Sequence, residues 1–120
     1  MKAIILTMAL YIMTATPLQA GEADVVGAEV TRTAQGRYRF DVTVRHADTG
    51  WSHYADRFDI LAPDGTVLGT RVLYHPHVDE QPFTRSLSGV AIPEGIRKVT
   101  VRAHDLVHGT GGSVVTVTLP

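Results

Sequence analysis

Six histidines stand out in this sequence of 120 residues: His46, His53, His75, His77, His104 and His108. Neutral imidazole is a good ligand for Zn, Cu, Ni and Fe, and it titrates near neutral pH. The tightest grouping is His75-Pro76-His77. Residues two apart in an extended segment project to the same side. Pro76 fixes its own φ and biases His75 toward extended backbone. Two nitrogens preset in this way suit a shared metal ion. Asp48, Asp56, Asp79, Glu80 and Asp105 lie in the same segments and offer carboxylate ligands, or acceptors for the ring N–H of a bound histidine.

The chain has no cysteine, and its methionines (Met1, Met8 and Met13) all precede residue 20. No sulfur ligand remains beyond that point, which argues against soft Cu(I) and against cysteine-type zinc sites. The expectation is Zn(II) or Cu(II) held by His75, His77, His104 and His108, with His53 in reserve. His46 continues the inward side of a strand and reads instead as a satisfied core histidine. An H-x-H pair matches no zinc signature such as H-E-x-x-H. The competing expectation is therefore that the histidines fix loops by hydrogen bonds, without a metal.

Strands must position these side chains. Arg37 to His46 alternates strictly, with Tyr38, Phe40, Val42 and Val44 on one side and charged or polar residues on the other. That is the pattern of a half-buried antiparallel strand. Further strands are expected over 25–33, 57–62, 67–74, 83–92, 96–104 and 113–119. Turn signals such as Pro63-Asp64-Gly65 and Pro93-Glu94-Gly95 separate them. Seven short strands with no competing helical period predict an all-β, immunoglobulin-like, seven-stranded antiparallel sandwich over residues 22–120. In that topology the connections after the second, fourth and sixth strands share one end, so every histidine would belong to one pole.

The first twenty residues differ from the rest. Lys2 precedes an apolar run, Ala3 to Met13, followed by Pro17 and the small residue Ala20. This is the layout of a cleavable signal peptide over residues 1–20, with cutting after Ala20 or after Ala23. The run is shorter than the roughly 20 apolar residues of a permanent span, so no stable membrane insertion is expected. The protein is expected to be periplasmic or secreted. Formal charge is −1 for the whole chain, and the basic residues are dispersed, so a nucleic-acid footprint is absent.

Other residues read more plainly. Trp51 is expected to plug one end of the core, and Arg85 to tether a long connection through a carboxylate. Gly109 to Gly112 opens no helix and reads as a hairpin turn rather than a phosphate loop. No G-x-S-x-G or comparable catalytic motif occurs, so no enzyme activity is expected. The strings HPHVDEQPFTR and HDLVHGTGG resemble those of small secreted bacterial proteins with immunoglobulin-like or fibronectin-like sandwiches. The resemblance implies fold and compartment but no particular activity. The alternative to metal binding is a module whose pole loops recognise a protein, peptide or glycan through Trp51, Tyr54, Tyr74 and Arg85.

Overall fold

The computed structural model describes residues 21–120; the expected signal peptide lies outside them. Seven strands follow in order: β1 (Asp24–Ala34), β2 (Arg37–Arg45), β3 (Ala55–Leu61), β4 (Val67–Val72), β5 (Phe83–Ala91), β6 (Lys98–Asp105) and β7 (Val115–Thr118). They form two antiparallel sheets, one ordered β1-β2-β5 and the other β4-β3-β6-β7. This is the expected immunoglobulin-like sandwich. Among the described residues no helix is long and apolar enough to cross a membrane.

Alternation along the strands decides what lies between the sheets. Tyr38, Phe40, Val42 and Val44 of β2 are buried, as are Val99, Val101 and Ala103 of β6. Phe58 and Ile60 of β3 lie beside the β6 residues in the same sheet and face those of β2 across the core. With a spacing of about 10 Å between packed sheets, these side chains fill the interior without disulfides. Gly69 on β4 permits a close approach, since a Cβ there would meet Leu87 of β5 at 3.2 Å. On the outer face of β3, Asp59 is also buried, and it is held by Thr70 Oγ1 at 2.8 Å and Arg102 Nη2 at 3.0 Å.

Two features of the topology position the histidine pole. The connections β2–β3, β4–β5 and β6–β7 converge there, carrying every histidine except His104, the next-to-last residue of β6. Strand β1 also begins there, because its antiparallel register sets Asp24 opposite Arg45 at the end of β2. Residues 21–23 therefore join the pole loops. The glycine-rich turn accommodates this segment. Gly109 takes a positive φ of 73°, as expected of a turn. Gly112 has a different reason: a Cβ there would overlap the Ala23 carbonyl.

Trp51 departs from expectation. It is 67% exposed and packs edge-on against Tyr54 with ring centroids 5.7 Å apart. The end of the core is closed instead by His46, Asp48, His77 and Asp105, all buried. Truncating Phe58 to Ala should cost about 3–5 kcal/mol, and Trp51→Ala should stay within about 0.5 kcal/mol. Urea unfolding midpoints of the two variants check this contrast.

Candidate metal centre

The centre is built from the end of β2, the end of β6 and the segment preceding β1. His46 follows the inward alternation of Phe40, Val42 and Val44, so it enters the core rather than the solvent. Its Nδ1 lies 2.5 Å from Asp48 Oδ1, and its Nε2 lies 3.0 Å from the Gly21 carbonyl oxygen. Asp48 is itself fixed by backbone donors: Ala55 N–H to Oδ1 at 3.1 Å and His77 N–H to Oδ2 at 2.6 Å. Thus one carboxylate ties the β2–β3 loop to the start of β3 and to the β4–β5 loop.

Asp105 ends β6 and is completely buried. Its Oδ1 accepts the amides of Val107 at 2.8 Å and His108 at 2.6 Å. Its Oδ2 is buried without a hydrogen-bond partner, 3.7 Å from His46 Nε2. His53 Nε2 lies 3.4 Å from Asp105 Oδ1 and 3.2 Å from the Gly21 oxygen. His46, His53 and Asp105 each offer a ligand atom within 4.8 Å of the others. His108 flanks them, with its ring centroid 5.0 Å from that of His53 and its Nδ1 3.4 Å from Asp105 Oδ1. Burial alone would raise the Asp105 pKa. The amides of His108 and Val107 and the nearby His46 and His108 rings outweigh it and hold the carboxyl below its ordinary range.

Four of these spacings are compatible with shared ligation, within a group whose donor atoms lie up to 4.8 Å apart. Ligand bonds of 2.0–2.1 Å in a tetrahedron place neighbouring donor atoms about 3.3 Å apart. The separations from the two Nε2 atoms to the Gly21 and Asp105 oxygens run from 3.0 to 3.7 Å. Asp48 on the far nitrogen of His46 supplies the carboxylate that commonly orients a metal-bound histidine.

Of the five histidines expected as ligands, only His53 belongs to the converging group and His108 to its edge. His75 is exposed, with Nδ1 3.1 Å from the Pro76 carbonyl. Its ring lies against that of His77, centroids 4.6 Å apart. His77 turns inward and stacks on Phe83 at 3.9 Å. Arg85 Nη2 lies 3.0 Å from His77 Nε2, and a guanidinium can only donate. We therefore assign His77 as neutral, with its proton on Nδ1. Burial, then the Arg85 charge, lowers the His77 pKa. Arg85 also reaches Glu80 at 3.4 Å, the tether expected of it. His104 Nδ1 pairs with Asp56 Oδ1 at 2.6 Å across β6 and β3.

In the sequence His46 reads as a core residue and Asp105 as one carboxylate among several, and Gly21 is not among the candidates. The signal for Gly21 was available: an antiparallel first strand must begin where the second ends.

No protein-family model matches the chain, and no solved structure does. A protein of Halomicrobium mukohataei named "Putative lipoprotein" is 39% identical over 100 residues, which cover 83% of this chain and 49% of the relative. The chain thus spans about half the length of the curated relative it matches.

Two measurements test the electrostatics. Asp48→Ala strands the His46 ring and two amides, so it should cost about 3–5 kcal/mol in urea unfolding at pH 7. The His77 pKa is lowered in the fold, so the unfolded chain takes up this proton first as pH falls. The stability difference between the native protein and His77→Gln should therefore shrink as pH drops below about 6.5, the ordinary histidine value. Urea titrations of both proteins from pH 8 to 5 read this out.

Proposed function

We propose that this protein is an extracytoplasmic binding protein that holds a divalent transition-metal ion at its histidine pole, through His46, His53 and Asp105, with His108 at the rim. The observation that carries the reading is Asp105 Oδ2: a buried carboxylate oxygen without a hydrogen-bond partner, 3.7 Å from His46 Nε2, on a carboxylate whose other oxygen lies 3.4 Å from His53 Nε2. Leaving such an oxygen unpaired is costly, and a cation would satisfy it. Two imidazoles with oxygen donors and no thiolate suit Zn(II) or Cu(II). The relative's name, "Putative lipoprotein", and the signal-like start of the sequence support the extracytoplasmic setting.

A second reading rests on a separate observation. Trp51, Tyr74, Val78, Leu106 and Val107 are all exposed on the pole loops. Contiguous exposed apolar surface is a mark of interaction sites. Recognition of a protein, peptide or glycan by this rim is compatible with a metal beneath it.

Elemental analysis and Zn(II) and Cu(II) calorimetry on untagged residues 21–120 test the metal reading. We expect one ion per chain. His53→Ala should lower affinity at least about tenfold, since even the loss of an outer partner costs 10–100-fold. His75→Ala should leave it unchanged. Loss of binding in His75→Ala with retention in His53→Ala would move the site to the β4–β5 loop and end this assignment.

A further inference from the structure

The segment preceding β1 is the part of the pole that the proposed ligand set does not use. Gly21 is packed into the centre. Its carbonyl oxygen faces both His46 Nε2 and His53 Nε2, at 3.0 and 3.2 Å. Its Cα lies against the His108 ring so closely that a Cβ would fall 2.6 Å from His108 Cε1. The backbone nitrogen of Gly21 is one bond from that Cα, so it lies at the edge of the same cluster. One of the two cleavage points expected from the sequence is the bond to this nitrogen.

We propose that export completes the metal centre: cleavage between Ala20 and Gly21 delivers the Gly21 α-amine as a further nitrogen donor. This rests on the metal reading above. In the cleavage step a signal peptidase adds water across the peptide bond, leaving a carboxylate on Ala20 and an ammonium on Gly21. The ammonium releases one proton when its nitrogen binds the ion. The amine and the carbonyl oxygen of one residue then close a five-membered chelate ring on the metal. Before cleavage the same nitrogen is an amide N–H with no lone pair to give, so the chain would acquire its full affinity only after crossing the membrane.

The fold also discriminates between the two candidate cleavage points. Ala23 is 1% exposed and belongs to the core, and the Val25 amide donates to the Ser113 carbonyl. Cutting after Ala23 would strip away a core residue and the carbonyl shared by His46 and His53. Cutting after Ala20 leaves both in place.

The test compares two forms of the mature protein, one beginning at Gly21 and one retaining Ala20, with Cu(II) as the probe. The N-terminus of the exported protein is first mapped by mass spectrometry and should be Gly21. Calorimetry in buffers of different ionisation enthalpy then gives affinity and protons released. The Gly21 form should bind at least about tenfold more tightly. It should release one proton more at pH 7, below the ordinary α-amine pKa of about 7.7–8.0. Coincident thermal unfolding of the two metal-free forms shows that the retained alanine leaves the fold intact. Equal affinity and equal proton release overturn the inference and leave the metal site standing. No binding by either form overturns both. An exported N-terminus at Asp24 overturns the inference outright.

Discussion

The histidine pole depends on two buried carboxylates. Asp48 and Asp105 have fully buried side chains, and an ionised carboxylate survives there only if donors or cations surround it. The loops are shaped by that need. Asp48 draws in the amides of Ala55 and His77 and the His46 ring. Asp105 draws in the amides of Val107 and His108 and is approached by three imidazoles. Segments far apart in the chain are thereby pinned at the end of a sandwich that has no disulfide to do so.

The sandwich was largely legible in the sequence because its signal is local. Alternation in β2 and β6, β-branched residues in β7 and proline-glycine turns all follow from side-chain direction and backbone preference. The gathering of histidines at one pole was legible too, since it follows from topology alone. Their grouping within the pole was not. His75-Pro76-His77 has the most suggestive spacing, yet Phe83 draws His77 inward by stacking and Arg85 occupies its Nε2. Trp51 misled in the opposite sense: aromatic size argued for burial, but polar groups had already closed that end of the core. In both cases packing between loops, which leaves no periodic trace, overrode the local pattern.

The contacts of His46 show how one cluster could serve both the fold and the proposed metal site. Both nitrogens of His46 face acceptors, Asp48 on one side and the Gly21 carbonyl on the other. The ring is thus held from both sides, between a buried carboxylate and a backbone carbonyl. A divalent ion at Nε2 would add positive charge beside the unpartnered Asp105 oxygen. Asp48 would still accept from Nδ1, so the contacts that hold the loops would survive metal binding. A metal at Nε2 would need a free lone pair inside a frame that it does not have to build, so any metal affinity at this site would fall with acidity. The exposed His75 lacks that coupling: its Nδ1 faces the Pro76 carbonyl rather than a buried carboxylate.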